Sequence, residues 1–419
     1  MTVSLGIDFG TSGARLVAID TELYVLWRGS VAIEGGKWRE TLFALIQSVP
    51  AEIKARVTSI AIDGTSSTVL LCDNVGAPVF EPIWYSDKRG EVVLEELRQV
   101  APPGHLVINA TSSLAKLFWW ARQPGFDRGR YFLHQADWLA MQLHGKLGVS
   151  DYHNALKLGY DVESLDYPNW LEQHAYRPLL PQILAPGTPV GEVLPAVARE
   201  LGLAANCLVC AGTTDSIAAF MASRVETPGV AVTSLGSTLV VKLLSRIRVD
   251  DVGLGIYSHR FGDLWLVGGA SNTGGAVLSA FFSDRELIEL SQEINPDISS
   301  QLDYYPLLTP GERFPINDPH LQPRLSPRPK LPGDFLHGLL EGIAKIEAEG
   351  YQLLAQLGAT PLTAIYTAGG GAKNLIWSQI RQQYLQVPML LSQEQEAAYG
   401  TAVLAQAHTR STKSKLGCD

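Results

Sequence analysis

Two runs in this 419-residue chain join a glycine turn to hydroxyl residues, Phe9-Gly10-Thr11-Ser12-Gly13 and Leu235-Gly236-Ser237-Thr238. A phosphate needs several donors at close range. The N–H groups of a tight turn supply them, and glycine lets the backbone approach. Thr11, Ser12, Ser237 and Thr238 add hydroxyl donors. Two such turns on opposing domains would grip a polyphosphate from both sides, although each alone also reads as an ordinary β-turn. Neither fits the Gly-x-x-x-x-Gly-Lys-Ser/Thr pattern, which disfavours a P-loop ATPase. Asp8 ends the apolar run before the first turn. A carboxylate there would hold Mg²⁺, which takes one or two carboxylates plus phosphate oxygens, or it would bond its own turn backbone. Asp215 closes Ala211-Gly212-Thr213-Thr214-Asp215 at an expected helix start. It reads as an N-cap or as a general base that helps a hydroxyl attack phosphorus.

A third glycine run, Ala368-Gly369-Gly370-Gly371-Ala372-Lys373-Asn374, follows a strand-like segment. Three glycines let a flat ring or an α-phosphate lie against the backbone, or they make a flexible turn. Lys373 meets a phosphate or faces solvent. Trp84, Asp87 and Arg89 would bind a polyol through hydrogen bonds and ring contact, or they form surface packing and a salt bridge. His134, His144 and His153 have no metal-ligand spacing and read as structural. Cys207 and Cys210 lie in an apolar stretch that reads as a buried strand rather than a redox or metal site; Cys72 and Cys418 stand apart.

These groups need a scaffold. Val3 to Ile7 and Arg15 to Ile19 are short apolar runs around the first turn and predict a hairpin. Trp38, Leu42, Leu45, Ile46 and Val49 recur at helical spacing. Ile60 to Ile62 predicts a strand ending at Asp63-Gly64-Thr65-Ser66, with Val69 to Leu71 as its expected partner. Leu114, Leu117, Phe118 and Ala121 mark a helix capped by Thr111 or Ser112. Leu208 to Ala211 predicts a strand leading to Asp215 and a helix over Ser216 to Ser223. Pro228-Gly229 divides the chain. After it, Val230 to Thr233 and Leu239 to Leu243 flank the second turn, and Ala364 to Thr367 precedes the third, with a helix over Leu375 to Tyr384. Each half thus opens with strand–turn–strand and closes with strand–turn–helix, an internal duplication of one α/β design. Phe335 to Leu357 keeps a helical period, and the eight prolines of 301–333 mark a long irregular segment.

The composition is that of a globular protein, with 46 % apolar and 18 % charged residues. This length suggests two or three domains at about 150 residues each. The net charge of −9 argues against a general nucleic-acid or anionic-membrane binder. No apolar run reaches the roughly 18 residues of a membrane span, and the opening MTVSLGIDFG has no basic segment or cleavage site. No membrane or nucleic-acid partner and a cytoplasmic location are expected.

Gly6-Ile7-Asp8-Phe9-Gly10-Thr11-Ser12-Gly13 resembles the opening signature of the FGGY carbohydrate kinases, in the actin-like, ribonuclease-H-like ATPase superfamily. The likeness continues in order along the chain. Trp84, Asp87 and Arg89 resemble the family's W-x-D-x-R, Leu143-His144-Gly145 its LTG, and Asp151 to Ala155 its D-x-x-N-A. Pro186-Gly187 with Gly191, AGTTDS, SLGST, Gly311-Glu312-Arg313 with Pro315, Leu340-Glu341-Gly342, AGGGAKN and Glu396-Ala397-Ala398 with Gly400 resemble its later motifs. The resemblance implies an α/β fold of two ribonuclease-H-like (actin-like ATPase) domains facing across a cleft. Residues 1–225 would hold the sugar and the catalytic base, 226–395 the nucleotide, and 396–419 a C-terminal helix packing back on the first domain.

By the same resemblance, Asp215 is the general base, and Asp8, with Thr11 as a further catalytic residue, lies near Mg²⁺ and the transferring phosphate. Asp8, Asp63, Ser66 and Asp215 contact the sugar. Thr11, Ser12, Gly13, Gly236, Ser237 and Thr238 bind the phosphates, and Gly370, Gly371 and Asn374 the adenosine part of ATP. The family's xylulose kinases carry a Met-His pair after the strand that leads here to Asp63-Gly64-Thr65-Ser66. Small hydroxyl residues at that place resemble the ribulose-type members. Longer strings such as IDGTSSTVLLCD and QADWLAMQLHG are similar to the cyanobacterial and chloroplast branch. D-Ribulose is therefore the expected substrate and D-xylulose the second, for a monomer or homodimer whose only partners are sugar and ATP. The stretch Glu34-Gly35-Gly36-Lys37 looks short for the family. A nucleotide-gated interaction protein on the same scaffold is the competing class; retention of Asp215 beside two phosphate turns favours the kinase. A sugar-sensing regulator finds no helix-turn-helix extension or basic patch to support it.

Overall fold

A computed structural model describes residues 2–33 and 36–415, with side chains as far as 407. Cys418, Glu34 and Gly35 lie outside the described residues. The chain divides into two compact units, Met1–Arg224 with Glu394–Asp419, and Val225–Gln393.

The first unit is built on a seven-stranded sheet: β1 (Val3–Phe9), β2 (Gly13–Asp20), β3 (Val25–Ala32), β4 (Val57–Gly64), β5 (Pro189–Glu192), β6 (Leu208–Cys210) and the two-residue β7 (Thr213–Thr214). Their order is β3-β2-β1-β4-β6-β5, with β7 beside the end of β4. β1, β2 and β3 are antiparallel neighbours, while β1, β6 and β7 run parallel to β4. All seven residues of β1 are buried. A strand covered on both faces reads as a near-continuous apolar run, as VSLGIDF does. Helix α1 (Trp38–Gln47) covers one face with Leu42, Leu45 and Ile46. α2 (Ser113–Trp120), α3 (Gln135–His144) and α4 (Asp215–Ala222) follow in the same unit, and α7 (Ala397–Lys415) returns to it from the end of the chain. α7 comes so close to β1 that a Cβ on Gly6 would stand 2.0 Å from Ala402 N. One on Gly400 would stand 1.9 Å from Ala218 O of α4. Only glycine permits both approaches.

The second unit repeats the design. β8 (Val230–Leu235), β9 (Leu239–Ser245), β10 (Tyr257–Phe261), β11 (Leu264–Ala270), β12 (Ala364–Ala368) and β13 (Met389–Leu391) form a sheet of order β10-β11-β9-β8-β12-β13. β11, β9 and β8 are antiparallel neighbours, and β12 and β13 extend the sheet in parallel, in the same sequence of directions as β3, β2, β1, β4 and β6. The long α5 (Pro332–Gln356) buries Phe335, Leu336, Leu339, Leu340 and Ile343 and packs with α6 (Leu375–Leu385) through Trp377 and Ile380. Inside this unit Arg381 donates to both carboxylate oxygens of Glu347 at 2.6 and 2.7 Å. Both side chains are fully buried, and Thr367 and Thr233 complete the network.

One local expectation is corrected and two alternatives are resolved. Val69–Cys72 pairs antiparallel with Tyr131–His134 and not with the strand ending at Asp63, whose edges are taken by β1, β6 and β7. Ser112, not Thr111, caps α2, because its side chain accepts from Ala115 N while Thr111 is turned to Asn109. Asp215 is the first residue of α4 rather than its cap, because Thr213 and Thr214 prolong the sheet and Thr214 takes the cap position. Helix α1 stops at Gln47, short of Val49, and 302–331 contains neither helix nor extended strand.

Candidate active site

The carboxyl ends of parallel strands are where an open α/β sheet places its ligands. In the first unit three acids reach that edge. Asp8 of β1 is in register with Asp63 of β4, which is in register with Thr213, two residues before Asp215. Asp8 is buried and Arg15 reaches its Oδ2 at 3.4 Å. Burial raises the Asp8 carboxyl above the ordinary carboxylate range, against the hydrogen bond from Asp63 and the charge of Arg15. Asp63 is fully buried and is raised much further, by burial and by the charges of Asp8 and Asp215. The 2.5 Å hydrogen bond from Thr401 Oγ1 to Asp63 Oδ2 opposes the rise. Both shifts act against a second charge on the pair, most strongly at Asp63, since two neighbouring carboxyls in a dry site do not both ionise. Its Oδ1 is buried and receives no hydrogen bond from an N–H or O–H donor among the described residues.

Asp215 is half-buried at the N-terminus of α4, and Ser216 N donates to its Oδ1 at 2.6 Å. The positive end of the helix dipole favours a carboxylate at this position. Gly10 N donates to Gly13 O at 3.1 Å, which closes the first turn, and Thr11 and Ser12 at its tip are exposed. Ser66 is half-buried. Thr65 beside it gives its N–H and its hydroxyl to Gln135 Oε1, both at 3.1 Å.

The neighbouring polar side chains hold this edge. His153 Nδ1 lies 2.7 Å from Thr213 Oγ1. Asn154 Nδ2 donates to Thr213 O at 3.2 Å and to Asp151 Oδ2 at 2.6 Å. Thr401, Gln135, His153 and Asn154 carry no prior functional reading as individual residues. The only signal for the last two was their place in the string Asp151 to Ala155. His134 and His144 are likewise buried in structural roles, His134 against Asp137 and His144 against Lys146 N. Asp87 and Arg89 form a salt bridge at 2.6 Å, and the Arg89 guanidinium lies over Trp119. Cys207 and Cys210 are buried free thiols, and burial pushes both up to about 12.

Among the described residues no group of three or more His, Cys, Asp or Glu side chains is placed to hold a metal. Asp8 supplies hard carboxylate oxygens at this edge. That donor set fits a magnesium ion that takes one or two protein carboxylates and draws its other ligands from phosphate and water.

In the second unit the same sheet edge carries glycine and hydroxyl groups. Ser234 of β8 is in register with Ala368 of β12, so Leu235-Gly236 and Gly369 leave the sheet side by side. Gly369 has φ +84°, and a Cβ there would lie 2.7 Å from Leu235 O. A third stretch of backbone joins the first of these turns: Gly275 N donates to Gly236 O at 2.8 Å and Ala276 N to Ser237 O at 3.1 Å. Gly274 has φ +141° and would clash with Thr238 and Ser237 if it bore a side chain. Sequence reading passed over Gly274 and Gly275, although a Gly-Gly pair was visible there. Gly370 is exposed and Gly371 lies against Leu235 and Trp377. Asn374 caps α6 by accepting from Trp377 N at 3.0 Å and donates to Ser291 Oγ at 2.8 Å. Its side chain thus fixes the entry to the helix, and Lys373 faces solvent. Glu312 anchors the start of the third backbone run through Ser271 Oγ at 2.6 Å and Asn272 N at 2.7 Å.

Comparison with known proteins agrees with this arrangement. Residues 3–222 match the model of the FGGY family of carbohydrate kinases, N-terminal domain, and residues 231–408 that of its C-terminal domain. A xylulose kinase from Staphylococcus epidermidis is 24 % identical over 437 aligned positions, covering 96 % of this chain and 87 % of that protein. A gluconate kinase structure from Lactobacillus acidophilus superposes with a TM-score of 0.85 at 16 % identity, over 98 % of this chain and 89 % of that one. A ligand-bound xylulose kinase from the same organism gives 0.84 at 16 % identity, over 98 % and 90 %. These structures share the two-domain α/β fold. Among the described residues no helix is long and apolar enough to cross a membrane.

Proposed function

The chain belongs to the FGGY family of carbohydrate kinases, and from that premise we propose that it phosphorylates a ketopentose, converting D-ribulose to D-ribulose 5-phosphate. The observation that carries the choice of sugar is the polar end of β4. Asp63 stands there in register with Asp8, and Thr65 and the half-buried Ser66 follow directly after the strand. Small hydroxyl and carboxyl groups suit a polyol chain, whose hydroxyls both donate and accept. D-Xylulose is the second reading, favoured by the naming of the S. epidermidis relative.

In the proposed reaction Asp215 accepts the proton of the attacking hydroxyl. The sugar oxygen forms a bond to the γ-phosphorus as the bond from phosphorus to the β–γ bridging oxygen breaks, and ADP leaves with that oxygen. Phosphoryl transfer is mostly positioning and charge stabilisation. The Ser216 N–H and the N-terminal end of α4 keep Asp215 oriented. Asp8 and Ser66 position the sugar. The turns Thr11-Ser12-Gly13 and Gly236-Ser237-Thr238 donate to phosphate oxygens, and Gly370, Gly371 and Asn374 form the support for adenosine. A magnesium ion held by Asp8 and the phosphates would supply neutralisation of the charge that develops on the transferring group.

The test is ADP release with ATP and Mg²⁺ across D-ribulose, L-ribulose, D-xylulose, L-fuculose, gluconate, ribitol, glycerol and no sugar. The expected result is the highest kcat/KM for D-ribulose. A higher value for D-xylulose moves the assignment to the second reading, and equal release with and without every sugar overturns both.

A further inference from the structure

We propose that Lys116, a residue outside the acids and glycine turns described above, is a positioning residue for the sugar, acting as an ammonium clamp on the two backbone segments that flank the end of β4. Lys116 lies in α2 and is fully buried. Its Nζ donates to three backbone carbonyls, Ser67 O at 2.7 Å, Trp84 O at 2.8 Å and Tyr85 O at 3.3 Å. Ser67 follows Ser66 directly and sits at φ +66°, a conformation costly for a residue with a Cβ. Such a turn persists only where its surroundings hold it. Thr68 Oγ1, 2.5 Å from Thr65 Oγ1 and accepting from Tyr85 N at 3.0 Å, ties the same two segments, and Val69 is bridged to Ile83. Lys116 is thus the one cation among these contacts, and it faces carbonyls rather than a carboxylate. The carbonyl groups fix the ammonium at the place where the Ser66–Ser67 turn and the Trp84–Tyr85 segment meet.

A buried lysine is an expensive way to hold two loops if an apolar side chain would serve. What the ammonium adds is direction. Three N–H vectors define where three carbonyls stand, and through them where Ser66 is presented. Burial pulls Lys116 down to about 7, aided by Lys157 and Arg89 and opposed by the Asp87 carboxylate. On deprotonation the amine keeps only two N–H groups for three carbonyls, so the clamp slackens as pH rises through that range.

The inference rests on the sugar-kinase reading of this edge, and the experiment separates the two. Wild type and the variants Lys116→Met, Lys116→Gln and Lys116→Arg are assayed as full-length protein with D-ribulose and with D-xylulose, varying sugar and ATP in turn, from pH 6 to pH 9. Circular dichroism establishes that each variant is folded. The expected result is a sugar KM raised about 10- to 100-fold in the Met and Gln variants, the loss of hydrogen bonds from a charged donor. The KM for ATP stays unchanged, and the Arg variant recovers part of the sugar affinity. Wild type shows a sugar KM that rises above about pH 7, and the Arg variant, which stays charged, lacks that rise. Folded Met and Gln variants with unchanged sugar KM overturn the clamp while leaving the kinase reading intact. A loss confined to kcat and thermal stability, with no Arg rescue, makes Lys116 merely structural and overturns it also. If the Met and Gln variants do not fold, the pH profile of wild type against the Arg variant decides, and parallel profiles overturn the proposal. A wild type that phosphorylates no sugar overturns the kinase reading and the clamp together.

Discussion

The two units bring the same sheet edge to different chemistry. In the first, the register pair at the ends of the parallel strands is Asp8 and Asp63; in the second it is Ser234 and Ala368. A glycine follows each member of the pair, Gly10 and Gly64 in one unit and Gly236 and Gly369 in the other. The scaffold therefore sets only where groups are presented. Carboxyl groups crowd the first edge, and burial together with their mutual repulsion raises Asp63 well above the ordinary carboxylate range. The second edge is without charge at the pair, and its glycines let Gly275 N and Ala276 N reach Gly236 O and Ser237 O at 2.8 and 3.1 Å and let Gly369 pack against Leu235. One edge is suited to moving a proton, the other to donating backbone N–H groups to an anion.

That contrast can be broken most severely at Asp215. Its replacement by Ala removes the proposed base from the first edge. Sugar-dependent ADP release should fall by about 10²- to 10⁴-fold, the usual contribution of general base catalysis, while ATP binding measured by calorimetry stays close to wild type. Loss of ATP binding instead would place Asp215 in the nucleotide site and erase the division of labour.

The second unit is most vulnerable in its interior. Arg381→Met leaves Glu347 buried without its bidentate partner. Removing one member of a buried ion pair costs about 3–5 kcal/mol. Denaturant unfolding of this variant should show an early transition belonging to residues 225–393, with the first unit unfolding later. A single unshifted transition would contradict the role assigned to the pair.

The glycine edge can be probed with two neighbouring substitutions. Gly369→Ala meets Leu235 O at 2.7 Å with φ at +84°, whereas Gly370→Ala meets nothing within 4 Å. The first should cost about 1–3 kcal/mol of stability and raise the KM for ATP. The second should leave the melting temperature nearly unchanged. Equal effects would mean that the close approach of the two turns does not hold the edge together.

The smallest effect concerns the acid pair and pH. The folded Asp63 is raised well above its ordinary 3.8, so between that value and the folded one the native state binds more protons than the unfolded chain. Stability attributable to this group is present below pH 3.8 and is lost as pH rises through the folded value. Asp63→Asn keeps the shape without the charge. Melting temperatures should fall less steeply with rising pH in the variant than in wild type, and the two curves should converge at low pH. Parallel curves would show that Asp63 does not carry the proton.

Much of this was legible in the chain order of residues. Apolar runs around Gly10 and Gly236 predicted both hairpins, and the register confirms them residue by residue. Such hairpins are local, so neighbouring side chains carry their signal. The helical period of Phe335 to Leu357 predicted α5 within a few residues. The family was visible in ordered motifs and is borne out over both domains, whereas the D-ribulose assignment remains a proposal.

What the sequence determined by itself, then, is the set of local devices: strand, glycine turn and helix, and the acids and hydroxyls placed at their junctions. Only the tertiary structure decided which of them meet. Val69–Cys72 finds its partner some sixty residues on, at Tyr131–His134, because β1, β6 and β7 already occupy both edges of β4. Asp63 takes its hydrogen bond from Thr401, 338 positions away. Lys116 reads locally as an ordinary helix residue, and its burial against three carbonyls follows from how two loops close over α2. Glu347 and Arg381 look like surface charges on separate helices until α5 and α6 pack. Local sequence encodes backbone preference and periodicity. Partners brought together by chain return depend on which surfaces remain to be buried, and no window of neighbouring residues contains that information.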